Sequence, residues 1–198
     1  MSTTTEATRA PDHTVKCIAN FLQTGGYLQN FKFPRIKYPN WPGYNPELYA
    51  EIGRRIGSGR IPIFLREGNI EGAKAFYNLT GNELNLTSAT KPLNRPSHWG
   101  TIVHEATHMI QDMKNWRMTK QEMEADAHFA QALFLHYKGT QLESGLLQAF
   151  NMAARHFAKG DKKEYKKKFS LMLSQAGAKY HGKAGYDDLY INKRWGGN

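Results

Sequence analysis

The sequence predicts an α+β domain, with a small sheet in its first half and helices in its second. Three observations carry that expectation. Between residues 61 and 88, short apolar runs alternate with a period of two, and Gly81-Asn82 sits where a hairpin would turn. Beyond residue 97 the apolar positions recur at intervals of three and four, the spacing of helix faces. The chain has 198 residues, 40% of them apolar, which suits one domain with its own core. Residues 14–198 are expected to form that domain behind a mobile tail at 1–13, with a basic helical part from about residue 140 onward.

Taken in order, residues 31–44 are aromatic and proline-rich (Phe33-Pro34, Tyr38-Pro39, Trp41-Pro42), so they should run extended over the domain as packing cover. Asn45-Pro46-Glu47 opens a helix to about residue 56, with proline at its first position. A strand is expected at 61–65. A hairpin follows at 75–80 and 83–88, with Leu84 and Leu86 on one face. After a loop at 91–96, Ser97 is the expected N-cap of a helix running to Met113. A second helix should start at Thr119 and reach Tyr137. A third carries Leu142, Leu146, Ala149, Phe150, Ala153 and Phe157 along one stripe. Asp161 and Glu164 cap a fourth, which buries Tyr165, Phe169, Met172 and Leu173.

The helix at 97–113 holds the run His104-Glu105-Ala106-Thr107-His108. Histidines four apart leave one helix face about a turn from each other, close enough for two ring nitrogens to share a zinc ion. Glu105 can point at water on the same metal. Ile102, Val103, Ala106, Met109 and Ile110 surround these polar groups, and burying them without a partner would be costly. A third ligand is needed. Gln111 and Lys114 stand where a metzincin would have glycine and histidine, which excludes that class.

On the following helix, a wheel at 100° per residue puts Glu122 and Asp126 with Phe129, Ala130 and Leu133 on the apolar side. Glu122 is therefore read as the third ligand. Asp126 is read as the acceptor of a ligating histidine's second N–H, which would fix the ring. Thr119-Lys120-Gln121-Glu122 also has the form of a capping box, a purely structural use for the same carboxylate. The same wheel turns Glu124 and His128 toward solvent as an ordinary surface pair.

His104-Glu105-x-x-His108 followed by Glu122-Met123-Glu124-Ala125-Asp126 resembles the signature of gluzincin zinc metallopeptidases. The match is close over about residues 98–135. The resemblance implies a zincin-like fold, one Zn2+ per chain held by His104, His108 and Glu122, Glu105 as general base, and Asp126 behind a ligand. It implies a zinc-dependent endopeptidase acting on a protein or peptide substrate. It also implies an oxyanion donor from the C-terminal part, where Tyr137, His156, Tyr180, His181, Tyr186, Tyr190 and Arg194 are candidates.

The net charge is +10, and the residues from 151 on carry 11 basic and 4 acidic side chains. Lys162, Lys163, Lys166, Lys167 and Lys168 form the densest group, an anionic partner's natural contact, though a solvated lysine face is the commoner use. This supports a second reading, a nucleic-acid- or partner-binding module on a zincin scaffold. No run approaches the roughly 20 apolar residues of a membrane span. The N-terminus lacks an apolar signal core, and Cys17 is the one cysteine. A cytoplasmic protein, or one exported without a signal peptide, is expected.

Overall fold

The computed structural model describes residues 7–40, 42–67, 75–87, 93–143, 147–180 and 189–190. It is an α+β structure: a four-stranded sheet stands against a helical body. Strands β1 (Ala7–Arg9), β2 (Ile63–Arg66), β3 (Ala75–Asn78) and β4 (Glu83–Thr87) lie in the order β1-β2-β4-β3. β1 and β3 are antiparallel to their neighbours, and β2 runs parallel to β4. Ala7–Arg9 fell in the expected tail. Their backbone instead pairs with Phe64 to Arg66 and extends the sheet by a strand, so order begins earlier than composition suggested.

The hairpin forms as expected, β3 against β4 in a register that pairs Tyr77 with Leu84. Asn82 supplies the positive φ of 50° that its turn needs, a conformation asparagine tolerates. Leu84 and Leu86 are buried together, and Asn85 and Thr87 on the other face are buried too, because β4 is an interior strand. Among the described strands, β3 lies at the edge of the sheet.

Helices α1 (Asp12–Thr24) and α2 (Pro46–Gly57) pack on each other. Pro46 opens α2, and the Asn45 side chain accepts the Leu48 N–H as N-cap. The motif helix α3 (Pro96–Met113) touches α2, β3 and α4 (Lys120–Tyr137). Arg95 precedes it with no side-chain cap, and Ser97 lies inside its first turn, because Pro96 takes the first helical position. α4 contacts α3, α5 (Gln148–Ala158) and α7 (Phe169–Tyr180). Of the stripe expected on the third helix, Leu146 lies outside the described residues. The expected fourth helix is two: α6 (Lys162–Lys167), capped by Asp161 accepting from the Glu164 N–H, and then α7, divided at Lys168. Lys162, Lys163, Lys166 and Lys167 of α6 are exposed. Two short strands, β5 (Met118–Thr119) and β6 (Leu189–Tyr190), pair with each other. Among the described residues no helix is long and apolar enough to cross a membrane.

The described residues of this segment, 31–40 and 42–44, do cover the core. Phe31, Phe33, Ile36 and Tyr44 are buried, Phe33 and Tyr44 pair by a backbone bridge, and their rings stack with centroids 4.6 Å apart. This cover lies over the first turns of α4 and reaches the candidate site through hydrogen bonds described next.

Candidate functional site

α3 and α4 are joined by a link of a few residues and pack with opposite directions, so successive turns of one face successive turns of the other. His104 on α3 meets His128 on α4, ring centroids 4.5 Å apart, and His108 meets Glu124, with 3.7 Å from Nε2 to Oε1. The Nε2 atoms of His104 and His108 are 3.1 Å apart. Glu124 Oε2 lies 3.5 Å from His104 Nε2 and 3.9 Å from His128 Nε2. One ligand atom each from His104, Glu124 and His128 falls within 4.8 Å of the others. Donors around a tetrahedral zinc, each at 2.0–2.1 Å, stand about 3.3 Å from one another. These separations come close to that value without any rearrangement of the helices.

Burial pushes the Glu124 carboxyl up, but the imidazoles of His108, His104 and His128 outweigh it and hold the group well below the usual carboxylate range. Its Oε2 is buried and accepts no hydrogen bond of good geometry. An ionised oxygen sealed from water in that condition is expensive unless a cation takes the place of donors. The donor set therefore fits a divalent metal.

Glu105 is buried beside this group. Its Oε2 accepts the Tyr77 backbone N–H at 2.7 Å, and its Oε1 is 4.0 Å from His104 Nε2. Tyr77 belongs to β3, so an N–H on the sheet's free edge sets the direction of the carboxylate. A cavity of about 280 Å³ opens here, lined by residues 76–80 along β3 and its turn and by His108, Lys120, Met123 and Glu124. A larger cavity, about 670 Å³, lies against residues 32–34, 39–40 and 42–45, Phe157 and α6, and no member of the cluster is among its described lining.

The sequence reading of α4 needs correction. Glu122 is buried but does not join the imidazoles. One carboxylate oxygen accepts the Thr119 backbone N–H while Thr119 Oγ1 accepts the Glu122 N–H, a complete capping box, and the other oxygen pairs with Lys37. The Glu122 hydrogen bond holds the Lys37 ammonium above its usual range. Glu122 lies two residues before Glu124, about 200° round the helix, so the two carboxylates cannot share a face.

Asp126 does not touch a candidate ligand either. Its oxygens accept the Ile36 N–H at 2.8 Å and the Tyr44 hydroxyl at 2.9 Å, both from the covering segment. Burial raises its carboxyl to about 7, against the lowering effect of those two donors. Burial, with the Asp126 charge adding to it, also puts the Tyr44 phenol well above its ordinary value.

The wheel turns Glu124 and His128 toward solvent because it allows α4 one wet face. α4 has helices on several sides, and every residue from Glu122 to Ala130 is buried. A signal was present in the sequence: from Met123 to Leu135 the only polar side chains are Glu124, Asp126, His128 and Gln131. Glu124 and His128 repeat the four-residue spacing of His104 and His108. Of the oxyanion candidates, His181, Tyr186 and Arg194 lie outside the described residues. His156 faces Asp161 at 3.3 Å, and Tyr137 lies beside His136.

No family model, curated protein or solved structure matches this chain.

Proposed function

We propose that the protein is a zinc-dependent endopeptidase of zincin type, with His104, His108 and Glu124 as the residues that hold the metal. The sequence tied this assignment to Glu122, which turns to Thr119 and Lys37 instead, so the assignment in that form falls and the present proposal stands on Glu124 alone. The observation that carries it is the convergence of His104 Nε2, His108 Nε2 and the Glu124 carboxylate next to a second carboxylate, Glu105, that stays outside the donor set.

Zinc bound there supplies a Lewis acid that polarises a carbonyl and acidifies water. The chain's own residues do the rest. Glu105, with Oε2 held by the Tyr77 N–H, offers Oε1 to take a proton from the attacking water and return it to the departing amine. The free edge of β3 borders the cavity, and an extended peptide can lie there by main-chain hydrogen bonds. Helices α3 and α4 keep the donors fixed, so little reorganisation is needed at the moment of reaction.

His128 favours a second reading. Its Nε2 adds a fourth protein donor near Glu124, and a closed set of four is the mark of a structural zinc. One experiment separates the two. Purified protein is assayed for zinc and for cleavage of a peptide library, as wild type and as Glu105→Gln. About one zinc per chain, with cleavage lost in the variant while its zinc stays, supports the peptidase. Zinc without cleavage by either protein supports the structural site. Protein that binds no zinc defeats both.

A further inference from the structure

Gln111 sits one turn beyond His108 on α3 and is buried. Its side-chain oxygen is 2.8 Å from His108 Nδ1. Its Nε2 donates to the Met123 carbonyl at 3.0 Å and to the Tyr44 hydroxyl at 2.8 Å. Tyr44 in turn donates to Asp126 Oδ2, and Asp126 Oδ1 is occupied by the Ile36 N–H.

The Met123 carbonyl decides the direction of this chain, because a carbonyl only accepts. Turning the amide over would set Gln111 Oε1 against the Met123 oxygen, and its contact with Tyr44 would need the hydroxyl proton that already goes to Asp126. With the amide fixed, its oxygen faces His108 Nδ1, and an oxygen there requires Nδ1 to carry the proton. The lone pair is then on His108 Nε2, the atom directed at His104 and Glu124.

We propose that Gln111 is the positioning residue of the site: locked by Met123 and by the Tyr44–Asp126 pair, it holds His108 in the Nδ1–H form with Nε2 ready to bind metal. This rests on the reading of His108 as a ligand and adds to it the device that prepares the ligand. Asp126, which the sequence placed directly behind a histidine, acts here two hydrogen bonds further back. The covering segment of residues 31–44 thereby becomes part of the site's support.

The test has two independent readouts. The first is the ring-nitrogen NMR spectrum of the metal-free protein at a pH about two units above the ordinary histidine value of about 6.5. It should show His108 protonated on Nδ1. The second is zinc affinity, measured by competition with a chromophoric chelator. Gln111→Met, close in volume with no acceptor oxygen, should mix the two tautomers and weaken zinc binding by about 10- to 100-fold. Gln111→Glu keeps an acceptor for Nδ1–H and should keep the tautomer, but its second oxygen faces the Met123 carbonyl without a proton, so its affinity should fall between those of wild type and Gln111→Met. A wild-type spectrum with the proton on Nε2 overturns the proposal, and so does Gln111→Met with tautomer and affinity both unchanged. If Gln111→Met does not fold, the wild-type and Gln111→Glu spectra decide alone. Wild-type protein that shows the Nδ1–H form yet binds no zinc would refute the metal reading and leave the tautomer assignment standing.

Discussion

The choice between Glu122 and Glu124 can be turned into a measurement, because the two carboxylates lie two residues apart and do different work. In Glu124→Gln one charged donor leaves the group. Structural zinc in zinc-finger peptides binds with about 10–16 kcal/mol in total, and on that scale each of three or four donors contributes on the order of 3–5 kcal/mol. At about 1.4 kcal/mol per factor of ten, affinity should fall by a hundredfold to a few thousandfold. In Glu122→Gln the glutamine can still close the capping box. What goes is the ion pair with Lys37, whose side chain is 48% exposed. Glu122 is only 6% exposed, but the charge left behind, on Lys37, can be solvated by water, so the loss costs about 1 kcal/mol or less. Zinc affinity should therefore be unchanged, and the melting temperature should drop only slightly. Chelator competition measures the first quantity and thermal unfolding of the metal-free protein the second. Zinc lost in Glu122→Gln but kept in Glu124→Gln would refute the assignment and restore the ligand set expected from sequence.

Glu105→Gln should retain zinc and fold normally, since the amide oxygen can still accept the Tyr77 N–H, while peptide hydrolysis falls by about 10²–10⁴-fold; an unchanged cleavage rate would remove Glu105 from the role of base. Phe129 lies among Phe33, Phe157 and Tyr165 with ring centroids 5.1–5.7 Å away, so Phe129→Ala should cost about 3–5 kcal/mol in urea unfolding. A Cβ at Gly53 would sit 2.7 Å from the Ala19 carbonyl oxygen on α1. The clash from Gly53→Ala should cost about 1–3 kcal/mol, more than the roughly 1 kcal/mol of helix propensity it gains, and a higher melting temperature would contradict this close approach. Glu51 is held below the ordinary carboxylate range by hydrogen bonds from Arg55 and Arg54. Its lowered folded value means the contribution is present above the unfolded carboxyl's range and disappears as pH falls through the folded one. Glu51→Gln should thus flatten a small part of the acid side of the stability curve, by about 1 kcal/mol at most given its exposure.

Local chemistry was legible in the sequence wherever one element settles its own form. Asn45-Pro46 announced α2 and Gly81-Asn82 announced the β3–β4 turn; Thr119 with Glu122 had the form of the box that opens α4, although the wheel favoured Glu122 as a ligand. His104, Glu105 and His108 were identifiable because helix geometry alone puts the two rings on one face. The third donor depended on which side of α4 meets α3, and a wheel drawn on one helix cannot contain that. Apolar content divided α4 into a wet side and a dry side, yet neighbours on several sides bury both. Tertiary packing alone decided that Glu124 and His128 face the imidazoles, that Glu122 commits its charge to a cap and Lys37, and that Gln111 reaches from His108 to a tyrosine 67 positions away. The physical reason is range: turns, caps and i,i+4 faces are fixed within a few residues, whereas the partner of a buried polar group is fixed by how two helices rotate against each other.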